Sequence, residues 1–311
     1  ITPFDRKGRL DRKTVVELVQ WHIAEGTDGI VCSATTGEGP CLSDADRKAM
    51  ADLCIQTAAG RIPVIVSTGT NNTKTSIRYT EIAQKLGADG CLAITPYYNK
   101  PSQRGCVLHF TEIAKVGLPV ILYHNPPRTV VRLTAETIFE LSRVPNIVAI
   151  KESSHDLDLI AKIAKFIDVF AGDDDIALQI MQAGAVGSIA TSANLIPKSW
   201  KKLISLCQQK KWDQAASIAA RYLPFIKAIF LETNPQGVKF ALSWLRKCEP
   251  ILRLPMIMPI QATQQEIKKA LLHLALPHFS STGLWPFLAT DRKPNIQRRS
   301  APINGQSPVQ I

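Results

Sequence analysis

Several short apolar segments of this chain end in side chains that can do chemistry, and one of them ends in a lysine. An unbroken apolar run occupies positions 147–150, opens after Pro145 and stops at Lys151. Such a run, rich in β-branched residues, predicts a strand buried on both faces. Burial disfavours an ammonium and lowers the pKa of a lysine, and a neutral amine attacks carbonyl carbon. We therefore hypothesise that Lys151 forms a Schiff base with a keto acid; the alternative is that it bends into solvent just past the strand.

Three other predicted strands end in polar residues suited to the same reaction. They provide Thr35 and Thr36 after strand 29–33, Tyr97 and Tyr98 after strand 90–94, and Tyr123 with Arg128 at the end of strand 119–123. Singly, each has an ordinary interpretation: turn threonines, packed tyrosines or a surface arginine. Together with Lys151 they supply an amine, phenolic proton carriers, carboxylate donors and a cation, which is what imine chemistry on a keto acid requires.

The elements that must position these residues alternate along the chain. Seven strand patterns are each followed by a helix pattern, after one helix that lacks a full strand before it. This order predicts an α/β fold, a (β/α)8 TIM barrel whose first strand is largely truncated, with Ile1 and Thr2 as its last residues. We expect the barrel over 1–210, a C-terminal helical region over 211–276, and a disordered tail over 277–311. A doubly wound open sheet is the alternative, but such a sheet is expected to carry a glycine-rich dinucleotide-binding turn, GxGxxG, which the sequence lacks.

Composition and charge exclude several classes of protein. The chain has 311 residues and no apolar run long enough for a membrane helix. Its seven cysteines form no CxxC pair, which argues against a zinc site or a disulfide framework and favours the cytoplasm. The net charge is +11, without an aromatic-interleaved basic groove, so we expect no nucleic-acid partner. The tail could alternatively be a basic arm for an acidic partner.

A set of ordered motifs makes the chain resemble one known family over positions 1–276. The motifs are Ile1-Thr2-Pro3-Phe4-Asp5, Thr35-Thr36-Gly37-Glu38, Thr95-Pro96-Tyr97-Tyr98-Asn99, Tyr123 through Arg128-Thr129, Ile150-Lys151-Glu152, Gly172-Asp173-Asp174, Asn234-Pro235 and Arg253-Leu254-Pro255. They resemble the dihydrodipicolinate synthases, a branch of the N-acetylneuraminate lyase family of class I Schiff-base aldolases. The resemblance implies condensation of pyruvate with L-aspartate 4-semialdehyde, in lysine and diaminopimelate biosynthesis, by a cytoplasmic homotetramer that needs no metal or organic cofactor.

The resemblance also implies a role for each matching residue. Lys151 would form the imine, Tyr123 would shuttle protons beside it, and Thr35 and Tyr98 would complete the relay, with Tyr98 supplied across a subunit interface. Thr36 would hold the pyruvate carboxylate, Arg128 would hold the carboxylate of the aldehyde, and Ile189 and Gly172 would line the substrate pocket.

Some positions depart from the family pattern. Ala34 stands where the family has a glycine, so a methyl group narrows the pocket or shifts backbone donors there. Asn71 and Tyr97 match the family's lysine-inhibition site, but most of their neighbours differ, so the resemblance does not imply that lysine inhibits this chain. Two alternatives stay open: a related pyruvate-dependent aldolase acting on N-acetylneuraminate or a ketodeoxy sugar, and a non-catalytic barrel that binds an acidic metabolite.

Overall fold

The architecture is that of a computed structural model, which describes residues 1–274. Seven parallel strands lie side by side in chain order in one curled sheet. They are β1 (Ile30–Cys32), β2 (Val64–Ser67), β3 (Gly90–Ile94), β4 (Val120–His124), β5 (Ile147–Glu152), β6 (Asp168–Ala171) and β7 (Gly187–Ser188). The predicted α/β barrel architecture is confirmed, and each strand is followed by a helix that returns the chain to the start of the next one.

Twelve α-helices cover the outer face of the sheet and follow its last strand within the described residues. They are α1 (Arg12–Ala24), α2 (Asp44–Ala58), α3 (Thr73–Leu86), α4 (Gln103–Ala114), α5 (Pro126–Thr129), α6 (Ala135–Ser142), α7 (Leu157–Ile163), α8 (Ala177–Gln182), α9 (Pro197–Gln208), α10 (Trp212–Ile229), α11 (Gln236–Trp244) and α12 (Gln261–His273). Each of these helices is too short or too polar to span a lipid bilayer.

Local sequence signals account for many of the helix starts. A capping box begins α2: the Ser43 hydroxyl accepts the Asp46 N–H, and the Asp46 carboxylate accepts the Ser43 N–H. Asn72, Ser102 and Thr134 cap α3, α4 and α6 through their side-chain oxygens. These capping residues fix where the helices begin after each strand.

Alternation of side chains along the strands divides the interior of the sheet from its outer face. Leu92, Ile121, Tyr123 and Ala149 form a small cluster, with residues of β1, β2, β6 and the end of β7 packed against it. Since successive residues of a strand point to opposite faces, Lys151 lies on the same face as Ala149 and therefore inside the curl. The much larger second cluster joins the outer strand faces to the helices.

The sheet is open between β1 and β7, which do not pair with each other in the described part of the chain. Ile1 and Thr2 occupy the carboxyl end of that opening. The Ile1 ammonium donates to Asn194 Oδ1 at 2.8 Å, beyond β7, and the Thr2 hydroxyl donates to the Gly37 carbonyl at 2.6 Å, beyond β1. Residues 1 and 2 thus contact the segments that follow both edge strands.

Two details of the sequence interpretation need correction, and one falls outside the structure. The strand containing Lys151 is not buried on both faces, because the Val148 side chain is half exposed at its amino end. A short helix, α5, follows β4 where the sequence analysis assigned no helix. The expected disordered tail, 277–311, lies outside the described residues.

Candidate active site

Lys151 and Tyr123 form the centre of the candidate site. They are register partners on the neighbouring strands β5 and β4. The Lys151 ammonium nitrogen lies 4.5 Å from the centroid of the Tyr123 ring. Lys151 is half-buried, whereas Tyr123 is 6% exposed. The sequence prediction that an amine and a phenol meet at the carboxyl end of the barrel therefore has a direct geometric counterpart.

Gly172 lies against the end of the Lys151 side chain, because the two-residue period of the strand places it on the same interior face as Phe170. A Cβ atom added at Gly172 would lie 2.9 Å from Lys151 Cε, 2.8 Å from the Glu152 carbonyl oxygen and 2.1 Å from Ser153 Oγ. No side chain fits at these distances. The glycine therefore leaves the room in which the Lys151 side chain runs into the barrel.

Two threonines and an asparagine make a polar cluster on the opposite rim. The Thr36 and Thr191 hydroxyl oxygens lie 3.2 Å apart, and Asn234 Nδ2 donates to them at 2.9 and 3.3 Å. Asn234 belongs to the segment before α11, so the C-terminal helical region contributes directly to the barrel mouth. Hydroxyl and amide groups of this kind suit a carboxylate.

Asp173 and Asp174 follow Gly172 at the end of β6. Asp174 accepts the backbone N–H groups of Thr191 and Ser192 and so positions the Thr191 hydroxyl near Thr36. Burial raises the pKa of Asp174, although these donors oppose the shift. Burial also raises the pKa of Asp173 to about 6, against the influence of His155 and Lys151. Asp173 therefore binds its proton more tightly than an exposed aspartate does, and it interacts electrostatically with Lys151.

Arg128 is exposed at the mouth, on α5. Its guanidinium donates to the Asn234 carbonyl at 3.2 Å and reaches Thr233 Oγ1 at 3.4 Å. These two contacts hold the guanidinium against the segment before α11, and an arginine held in this way can bind a carboxylate through its other N–H groups.

On the outer face of the same strands, His124 and Glu152 form a fully buried pair. His124 Nδ1 lies 2.8 Å from Glu152 Oε2, and His124 Nε2 accepts the Leu133 N–H at 2.9 Å. Because Nε2 is an acceptor, the imidazole proton resides on Nδ1 and is donated to the carboxylate. This pair ties the ends of β4 and β5 together directly behind Tyr123 and Lys151.

A cavity of about 320 Å³ lies next to the lysine. It is lined by Lys151, Thr36, Ala34 and Ile189, and by residues of α1 and α9. The Ile189 N–H is bonded to the Ala171 carbonyl at 2.9 Å, which places Ile189 just past β7 and beside the end of β6. The structure therefore brings Lys151, Tyr123, Thr36, Ile189 and Gly172 together.

The remaining predicted residues form no hydrogen bond with Lys151 or Tyr123 in the described part of the chain. Thr35 is half-buried in the loop after β1, and the Tyr123 hydroxyl is bonded to Asn125 rather than to Thr35. Tyr98 is 90% exposed, with a backbone φ of 72°. Tyr97 lies on the same loop, and Asn99 Nδ2 of this loop donates to the Asn71 carbonyl at 2.8 Å, so the two candidate regulatory residues are close in the fold.

Sequence reasoning did not assign roles to Asn125, Asn234 or the pair formed by His124 and Glu152. Asn125 and His124 directly follow Tyr123, so their position at the end of a reactive strand was an available signal. Asn234 was visible only as part of a motif, because its partner Thr36 lies 198 residues away. No three histidine, cysteine, aspartate or glutamate side chains within residues 1–274 are arranged to hold a metal ion.

A parallel α/β barrel with a lysine and a tyrosine in its carboxyl mouth has the form of a barrel enzyme whose chemistry is done by side chains at the strand ends. The Dihydrodipicolinate synthetase family model matches residues 1–274. The chain belongs to this family.

Individual relatives agree with this assignment. The 4-hydroxy-tetrahydrodipicolinate synthase of Brucella abortus is 39% identical over 282 residues, covering 89% of this chain and 96% of the relative. The crystal structure of dihydrodipicolinate synthase from Aquifex aeolicus superposes with a TM-score of 0.87 at 37% identity, covering 89% of this chain and 96% of that one. The chloride-inhibited enzyme from Acinetobacter baumannii, complexed with pyruvate, gives 0.86 at 36% identity, with 88% and 96% covered.

Proposed function

We propose that this protein condenses pyruvate with L-aspartate 4-semialdehyde to give 4-hydroxy-tetrahydrodipicolinate, a step of lysine and diaminopimelate biosynthesis. The observation that carries the proposal is the juxtaposition of Lys151 and Tyr123 on paired strands inside the barrel mouth. The names of the similar proteins and the pyruvate complex of one of them support the same substrates.

The chemistry begins with the amine of Lys151. Its nitrogen adds to the keto carbon of pyruvate, water leaves, and an imine forms. The imine draws electrons from the adjacent methyl group, which loses a proton to give an enamine. Tyr123 would carry protons in these steps, and the position of the lysine nitrogen 4.5 Å from the centroid of its ring supports this role. The lysine imine is itself the electron sink, so the proposal requires no metal or organic cofactor.

The second substrate, L-aspartate 4-semialdehyde, then reacts with the enamine. The enamine carbon attacks the aldehyde carbon, and the resulting alkoxide takes up a proton. The amine of the semialdehyde attacks the imine carbon, expels the amine of Lys151 and closes the six-membered ring. Thr36 would hold the pyruvate carboxylate with the help of Asn234, and Arg128 would hold the carboxylate of the semialdehyde.

A proton relay through Thr35 and Tyr98 would complete the site in a homotetramer built as a dimer of dimers. The high exposure of Tyr98 supports its insertion into a second copy of the chain. Sedimentation should give a tetramer, and Tyr98→Phe should keep that assembly while lowering kcat. A fully active monomer would contradict this part of the proposal. We also propose a cytoplasmic location, which is supported by the seven cysteines being free thiols.

The proposal is tested by turnover with each substrate class. The parent should consume pyruvate and L-aspartate 4-semialdehyde together, whereas N-acetylneuraminate should not be cleaved. Lys151→Arg keeps a cation at the same place but cannot form an imine, so it should remove turnover without unfolding the protein. Equal turnover by the parent and the Lys151→Arg variant would overturn the proposed function.

A further inference from the structure

Asn125 makes two side-chain hydrogen bonds that join separate parts of the candidate site. Its Nδ2 donates to the Tyr123 hydroxyl at 2.7 Å, and its Oδ1 accepts the Arg128 N–H at 3.2 Å. The residue is 8% exposed, so water does not compete freely for either bond. One buried amide thus links the phenol beside the lysine to the backbone that carries the exposed arginine.

The local sequence determines which way this amide faces. Pro126 and Pro127 open helix α5 and have no N–H, so Arg128 supplies the first backbone donor of that helix. The Arg128 N–H is shared between the Asn125 backbone carbonyl, at 3.0 Å, and Asn125 Oδ1, at 3.2 Å. An NH₂ group in the place of Oδ1 would set one donor against another, so Oδ1 faces Arg128. The NH₂ group is therefore left facing the Tyr123 hydroxyl, and it can only donate there.

The hydrogen bond that Asn125 donates has two effects on the Tyr123 hydroxyl: it limits where the O–H proton can point, and it stabilises negative charge on the oxygen. The single O–H proton of Tyr123 cannot point at Asn125, because that direction is occupied by an N–H, so it must be directed elsewhere around the oxygen. The lysine lies over the ring of the same tyrosine. The Asn125 donor also stabilises the negative charge that develops on the phenol oxygen while its proton is away.

We propose that Asn125 is a positioning residue that orients the Tyr123 proton for transfer at the lysine imine and stabilises the phenol oxygen during that transfer. This inference rests on the proposed function, because it needs Tyr123 to move protons. A merely structural interpretation would instead give Asn125 only the capping of α5, through its bond to Arg128.

Two substitutions separate these roles. Asn125→Asp keeps an oxygen that accepts the Arg128 N–H and so keeps the cap, but it replaces the donor to Tyr123 with an acceptor that draws the phenol proton toward itself. Asn125→Ala removes both bonds. If orientation of the phenol matters, both variants should slow the exchange of pyruvate methyl protons with solvent deuterium by about 10²-fold. If only the cap matters, Asn125→Asp should exchange at the parent rate.

The Asn125→Ala substitution is also made in the Tyr123→Phe variant. A residue that acts through the phenol has no effect there, because the hydroxyl is absent. Asn125→Ala should then lower the exchange rate in the parent but not further in Tyr123→Phe, a non-additive double-mutant cycle. Additive losses, or an Asn125→Asp variant with parent exchange, would overturn the assignment.

Borohydride trapping of pyruvate on the parent chain is run alongside. If the parent gives no adduct, the proposed function itself fails. An adduct together with additive losses removes only the role of Asn125. Because the comparison uses Asn125→Ala as well as Asn125→Asp, it remains decisive if the buried aspartate does not fold.

Discussion

Replacing Gly172 with alanine should disturb the lysine more than any distant core substitution of the same size. The new methyl group would lie 2.9 Å from Lys151 Cε and 2.1 Å from Ser153 Oγ, and both of these can move by rotation. The Glu152 carbonyl, at 2.8 Å, cannot move in that way, because it is strand backbone and already accepts the Gly172 N–H. The end of β6 must therefore shift away from β5.

The expected cost follows from overpacking. A methyl group forced into such a contact destabilises a protein by about 1–3 kcal/mol. Displacement of the lysine by about 1 Å should also slow the reaction on the order of 10²-fold. Urea unfolding measures the first effect, and the rate at which borohydride traps pyruvate on Lys151 measures the second.

Gly105 offers the matched control. It lies in helix α4, where an added Cβ would approach Pro101 Cβ at 3.2 Å and no residue of the candidate site. Gly105→Ala should change the unfolding free energy by less than about 1 kcal/mol and leave the trapping rate unchanged. If Gly172→Ala matched the control in both measurements, the claim that Gly172 makes room for the lysine would be refuted.

Two further predictions concern buried groups that can carry a charge. Lys239 is fully buried and its ammonium pairs with Glu38, so Lys239→Met should lower the unfolding free energy by about 3–5 kcal/mol in urea titrations, and the Glu38→Met double variant should recover part of that loss. Burial lowers the pKa of His109 from 6.5 to about 4. Between these two pH values the unfolded chain binds a proton at this histidine and the folded chain does not. The free energy of unfolding should therefore fall as the pH is lowered from 6.5 to 4. His109→Gln should flatten this slope, and an unchanged slope would count against the assignment.

The strands and their reactive ends were predictable because they depend on local patterns. Period-two alternation places Tyr123 and Lys151 on one face, and a parallel sheet brings their carboxyl ends together. The helix starts were predictable where a capping residue precedes the helix, as at Ser43. These features require only a few neighbouring residues, and the sequence contains them.

The features that the sequence analysis missed depend on contacts between distant segments or on competing signals. The bond from Asn234 to Thr36 joins the C-terminal region to the loop after the first strand of the sheet, and no local sequence pattern indicates it. The ion pair between Lys239 and Glu38 also joins residues that are far apart in the chain. Helix α5 was overlooked because its two prolines indicate a turn, although an asparagine followed by proline is also a helix start.

The most direct test of the central claim is the position of the pyruvate adduct after borohydride reduction. Lys247, whose Nζ lies 3.5 Å from the centroid of the Trp21 ring on α1, provides an internal comparison, because burial lowers its pKa to about 7. Peptide mass mapping should find the reduced adduct on Lys151 and none on Lys247, and Lys151→Arg should carry no adduct. An adduct on Lys247 instead, or an unmodified parent chain, would contradict the account.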